Sequence, residues 1–110
     1  DWSVSSLNPL EAIEVALTRR GPDAPPGEAW IPEERVDLET MLRAYTVNGA
    51  WLSRDEGSRG RLATGQAADL VVLDRDLFMI PAHEIAKAKV LLTLLDGRPT
   101  FRDPSVKIGQ

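Results

Sequence analysis

The spacing of apolar residues changes character near the middle of the chain. Leu10, Ile13 and Leu17, with Ala16 beside them, fall at i, i+3 and i+7, the spacing of one helix face. Asn8 is placed to cap that helix, Pro9 suits its first position, and Glu11 lies three residues beyond Asn8 as in a capping box. Glu11 and Glu14 near the start and Arg19 and Arg20 near the end complement the macrodipole, so the helix is expected to reach about Arg20 and stop at Gly21. Pro22, Pro25, Pro26 and Pro32 then break any regular element and make 21–34 a loop, with Trp30 and Ile31 expected to anchor it on an apolar surface. Asp37 is the cap of a second helix, with Val36 placed to staple onto Met41. Leu38, Met41, Leu42, Tyr45 and Leu52 extend its stripe to about Ser53.

After the polar stretch 54–60 the apolar residues become contiguous. Leu62 suits a short strand, Gly65-Gln66 a turn, and Leu70-Val71-Val72-Leu73 a strand covered on both faces. Residues 81–86 fit one helical turn, and 90–95 fit another buried strand. Asp96-Gly97 predicts a type I′ hairpin turn, because both positions must tolerate positive φ. The return strand is expected near 100–102, with Pro99 at its start or on an edge. Helices followed by strands, without an internal repeat, indicate α+β, or the tail of a larger α/β protein whose last strands form a separate sheet.

Composition narrows the function classes. A length of 110 residues suits one modest core. A net charge of −4 with no basic stripe argues against nucleic acid as a partner. The longest apolar run, 90–95, is far short of the roughly 20 residues needed to cross a bilayer, so no membrane partner is expected. Zero cysteines remove disulfides and thiolate sites and are compatible with a cytoplasmic setting. One histidine, His83, excludes an HExxH metal site. The opening Asp1-Trp2-Ser3-Val4 lacks an initiator Met and looks like a cut inside a longer protein.

Candidate chemistry is sparse. Asp1 by itself reads as a solvated carboxylate. Asp69, Asp74 and Asp76 cluster around the first strand, where Asp commonly accepts nearby backbone amides. His83 with Ser53, Ser58 or Ser105 lacks the nucleophile elbow of a hydrolytic triad, and Gly57-Ser58-Arg59-Gly60 lacks the lysine and helix of a phosphate loop. Thr46-Val47-Asn48-Gly49 puts four poor helix formers together and asks for a tertiary reason, either close packing at Gly49 or an Asn48 side-chain bond to a loop.

Several segments together resemble the C-terminal portion of a metal-dependent amidohydrolase of family 3, the YtcJ-like branch. They are Asp1-Trp2-Ser3-Val4-Ser5-Ser6, Asn8-Pro9-Leu10, Thr18-Arg19-Arg20 and Pro32-Glu33-Glu34-Arg35-Val36. They continue with Ala44-Tyr45-Thr46-Val47-Asn48-Gly49-Ala50, with the run from Gly65 to Asp74, and with Leu94-Leu95-Asp96-Gly97-Arg98. Two departures stand out: Ser3 where proline is expected after Asp-Trp, and Gly49 where alanine is common.

The resemblance implies a (β/α)8 barrel with a metal centre and a small β-sandwich built from both chain termini. Residues 1–56 would supply the end of the last barrel strand and the C-terminal helices, and 57–110 the sandwich strands, with the hairpin at 96–97. It implies hydrolysis of non-peptide C–N bonds by a metal-activated water, with Asp1 as both metal ligand and proton acceptor. The cofactor expected in the parent is a divalent metal, zinc by preference, and the substrate a small molecule. Because a catalytic zinc takes three or more protein ligands, none is expected on this chain alone, which should be inactive. The alternative is a noncatalytic folding or association module, since helices without their barrel expose apolar faces that favour self-association.

Overall fold

The computed structural model describes residues 3–25 and 27–107. Helix α1 (Pro9–Thr18) starts where the capping residues place it, with Asn8 Oδ1 accepting the Leu10 amide at 3.0 Å. The Asn8 amide donates to Ser6 Oγ at 3.1 Å, so Ser6 does the work expected of Glu11. The start is thus an Asn cap backed by Ser6 and not a reciprocal capping box.

The helix ends before Gly21. Arg19 takes the left-handed conformation at φ 55 and its amide donates to the Val15 carbonyl. Such a cap normally falls on glycine. Here the Arg19 side chain is held in return: Nε donates to the Trp30 carbonyl at 3.1 Å, and the guanidinium carbon lies 5.1 Å from the centre of the Trp30 ring. The Trp30 amide donates back to the Arg19 carbonyl at 3.0 Å, closing the strap. Trp30 is 72% exposed, so it is gripped by a cation and not buried on an apolar surface as expected.

Two compact units interleave along the chain. The first comprises the residues up to Leu42 together with Asp76–Ala88, the second Arg43–Arg75 together with the residues from Lys89 on. This division by contact crosses the 56/57 boundary and concerns compactness, not which part of a parent each segment supplies.

In the first unit α1 packs on a 3-10 turn at Ala82–Lys87, the single helical turn anticipated at 81–86. Leu10, Ile13, Leu38, Leu77, Ile85 and Ala88 are buried. Ile85, at 1% exposure, contributes about 1.5–3 kcal/mol by its burial. Shorter 3-10 turns form at Pro32–Glu34 and at Leu77–Met79, the latter capped by Asp76 Oδ1 on the Phe78 amide.

Helix α2 (Leu38–Tyr45) opens as expected with Asp37 Oδ1 on the Thr40 amide at 2.7 Å. It does not continue to Ser53. Thr46, at φ −125 and ψ −91, separates it from α3 (Val47–Leu52). The break falls on Thr46, the first of the four weak helix formers, while the other three are helical in α3; Trp51 and Leu52 stay exposed beyond it.

The second unit holds a three-stranded antiparallel sheet in the order β1 (Leu70–Leu73), β2 (Val90–Leu95), β3 (Arg98–Arg102), which makes the fold α+β. Asp96 at φ 50 and Gly97 at φ 77 form the expected turn between β2 and β3. Strand β3 begins earlier than expected and includes Pro99, which sits opposite Leu94 on an edge strand at a shift in register. That position tolerates a residue without an amide donor. Val71 and Val72 are exposed, so β1 is not covered on both faces, and β2 is half-buried for most of its length. Leu62 lies in no strand, while residues 63–66 turn with Gly65 at φ 87.

Close packing falls on Gly60 and not on Gly49. A Cβ at Gly49 would meet nothing nearer than the Ala44 carbonyl at 3.6 Å, an ordinary contact. A Cβ at Gly60 would lie 2.7 Å from Ala50 Cβ, and Gly60 has φ +98. Gly60→Ala is therefore expected to destabilise by about 1–3 kcal/mol. Gly57→Ala, where a Cβ meets nothing within 4 Å, should be nearly neutral, and denaturant midpoints of the two variants check the contrast.

Candidate functional site

Asp1, the residue expected to carry metal and proton, lies outside the described residues. The backbone just after it is described at Ser3, which has φ 74. Proline is locked near φ −65, so it could not occupy this conformation. The departure at Ser3 thus coincides with a turn that proline forbids.

The acidic residues around β1 resolve into structural bonds. Asp69, just before β1, accepts the Asp96 amide on Oδ1 at 2.7 Å, and its Oδ2 lies 3.5 Å from Arg59 Nη1. Asp74, just after β1, accepts the Lys89 amide on Oδ1 at 2.8 Å and pairs with Arg75 Nε at 3.2 Å. The two carboxylates fasten β2 at both ends. Asp76 caps the turn that follows, as noted above. The Lys89 amide, and after it the Arg75 guanidinium, hold the Asp74 carboxyl below the usual carboxylate range. Asp103 is lowered by the hydroxyl and amide of Ser105 in the same way.

The other candidates also resolve locally. His83 is exposed on its 3-10 turn. Ser58 Oγ donates to the Asp55 carbonyl and Ser105 Oγ to Asp103 Oδ1, so both hydroxyls serve their own turns. The amides of Ser58 and Arg59 donate to the Asp55 carbonyl, which leaves 57–60 a structured loop and no cradle for phosphate. Asn48 is exposed on α3.

One residue escaped the sequence reading. Glu14 is 2% exposed, and its Oε1 accepts the Ala86 amide at 3.0 Å. The signal was present: position 14 is four residues from Leu10 and three from Leu17, inside the apolar stripe, where a carboxylate needs a partner.

An open groove of about 650 Å³ in the second unit is lined by Tyr45, Ser53, Arg59, Arg61, Leu62 and Val71, among others. Among the described residues no group of three or more His, Cys, Asp or Glu is placed to hold a metal ion. With Asp69, Asp74 and Asp76 each bonded to a backbone amide, the described donor set does not fit a catalytic metal.

Comparison with known proteins gives a consistent result. The model of an amidohydrolase family matches residues 1–101. The chain is 33% identical over 97 residues to an N-substituted formamide deformylase of Arthrobacter pascens, covering 88% of the chain and 17% of that protein. It is 26% identical over 101 residues to the YtcJ amidohydrolase assigned in Bacillus subtilis, covering 92% of the chain and 19% of the relative. The crystal structure of an amidohydrolase from Thermotoga maritima superimposes with a TM-score of 0.54 at 28% identity, over 64% of this chain and 17% of that one. The chain thus spans less than a fifth of the length of the relatives it matches. Among the described residues no helix is long and apolar enough to cross a membrane.

The Asp74 bond has a pH signature. A carboxyl whose folded pKa is depressed adds stability that is complete above about pH 4 and is lost as pH falls through the folded value. Asp74→Asn keeps an acceptor oxygen but does not titrate. Its urea midpoint should therefore fall less than the native one between pH 7 and strong acid; parallel curves would show that the bond carries no such linkage.

Proposed function

This chain belongs to the amidohydrolase family, and from that premise we propose that it is the C-terminal part of a metal-dependent hydrolase acting on non-peptide, amide-like C–N bonds. One observation carries the proposal: the family match runs from Asp1 to Phe101 and takes in every motif segment identified in the sequence. The bond class is supported by the similar protein named for deformylating N-substituted formamides.

In this reading residues 1–56 supply the end of the last strand and the final helices of a (β/α)8 barrel. Residues 57–110 supply strands of a small β-sandwich, with β1, β2 and β3 among them. Asp1 is one ligand of a divalent metal, zinc by preference, and accepts the proton of the attacking water. The remaining ligands come from outside this chain, which by itself is inactive. The substrate is a small molecule and the setting cytoplasmic, in keeping with the absence of cysteine and of any basic stripe.

In the full-length parent, Asp1→Asn is expected to abolish hydrolysis of an N-substituted formamide while leaving the circular dichroism spectrum unchanged. Full turnover in that variant would remove Asp1 from the mechanism. The 110-residue chain should show no turnover with zinc added; stoichiometric zinc binding with hydrolysis would overturn its inactivity.

A second reading, a self-associating module, is favoured by the exposure of Trp51, Leu52, Phe78 and Met79 on this chain. Light scattering across a concentration series should then show growth in mass. A monomer at every concentration counts against it.

A further inference from the structure

We propose that the open edge of β1 pairs antiparallel with the same edge of a second copy of this chain, an inference that rests on the self-association read above and supplies its surface. Exposed apolar side chains favour association without setting how many copies meet, whereas a strand edge sets partner and number together. The sheet has two edges, and they differ in chemistry. On β3 all five residues are exposed, and Arg98, Pro99 and Arg102 blunt that edge with two like charges and a missing amide. Strand β1 carries no charge, and its Val71 and Val72, 56% and 42% exposed, are β-branched residues suited to pairing.

Alternation along the ladder decides which main-chain groups face outward. The Asp103 amide donates to the Leu91 carbonyl, so Leu91 and Thr93 turn to β3 while Leu92 and Leu94 turn to β1. Their partners in register are Val72 and Leu70, and on the same side the Ala68 carbonyl accepts the Gly97 amide and the Asp74 amide donates to the Lys89 carbonyl. Val71 and Leu73 therefore present their amides and carbonyls to the open edge, where no other strand meets them among the described residues. A two-fold pairing has to match these outward residues. Centring it on Leu70 or Val71 sets an outward apolar residue against Asp69, and centring it on Leu73 sets one against Arg75. Centring it on Val72 sets Val71 against Leu73 and, at each end, Asp69 of one copy against Arg75 of the other, which are opposite charges. Asp74, then opposite Leu70, is already turned onto the Lys89 amide. The pairing uses the β1 edge of both copies and leaves the blunted β3 edges outside, so assembly closes at a dimer.

The test uses the 110-residue chain, which contains no cysteine. Light scattering should give twice the chain mass for the native chain and a single chain mass for Val71→Pro, which removes an outward amide at an edge position that tolerates proline. Val72→Cys places one thiol on the two-fold axis, where facing residues of a non-hydrogen-bonded pair have Cα atoms about 4.5 Å apart, within disulfide range. Mild oxidation should cross-link Val72→Cys roughly tenfold more than Thr100→Cys, which lies exposed on β3. A native chain that is monomeric at every concentration overturns this inference and the self-association reading together. A native dimer in which Val72→Cys cross-links no more than Thr100→Cys, or which persists in Val71→Pro, overturns this inference and leaves self-association standing.

Discussion

A carboxylate accepting a main-chain amide from a distant part of the chain is the bond on which both units depend. Glu14 does this for the Ala86 amide, Asp69 for the Asp96 amide and Asp74 for the Lys89 amide. Each bond is charge-assisted and directional, and each takes up a donor that lies just outside a strand or within a 3-10 turn. Along β1 the effect is cumulative. With a carboxylate fastened at each end of a four-residue strand, β1 cannot slip by one residue against β2 without losing both bonds. Such a slip would also exchange the faces of Leu70, Val71, Val72 and Leu73, but with Val71 and Val72 exposed the apolar pattern alone specifies register weakly. The carboxylates supply what the pattern does not.

A second constraint is the positive φ adopted by residues other than glycine. Arg19, Ile31, Arg54 and Asp96 all take it. For Asp96 the conformation is common in I′ turns, and its amide is held by Asp69. For Ile31, β-branched at φ 51, it is costly. The strap around Trp30 explains how it persists: the neighbouring Trp30 is bonded to Arg19 in both directions, and the Ile31 carbonyl accepts the Glu34 amide at 3.0 Å. Arg19 thus ends α1 and holds the proline-rich loop with one side chain.

Legibility in the sequence followed the range of the interaction. Caps at Asn8 and Asp37, the Asp96-Gly97 turn and the apolar runs of β1 and β2 are local, and they were readable because each rests on neighbouring residues. The break at Thr46 was signalled by four weak helix formers, yet the Leu38 to Leu52 stripe outweighed them when only periodicity was considered. For Trp30 hydrophobicity suggests burial, while its pairing with Arg19 depends on how the loop returns to the helix end. Gly60 is likewise silent in the sequence, since its close approach to Ala50 is a tertiary fact.

The candidate site shows a different limit. Seventeen acidic residues on 110 invite a search for metal ligands, and Asp69, Asp74 and Asp76 look locally like a set. Their alternative role, accepting amides at strand ends and turns, is the one the structure realises. Asp1 offers no local pattern at all, and the role proposed for it rests on the resemblance of the motif segments and not on its neighbours. The three that crowd around β1 are bonded to the backbone. The acid proposed for catalysis stands apart from them in sequence, and a lone carboxylate does not complete the ligand set of a catalytic cation, so the proposed function carries with it ligands from other segments of the parent.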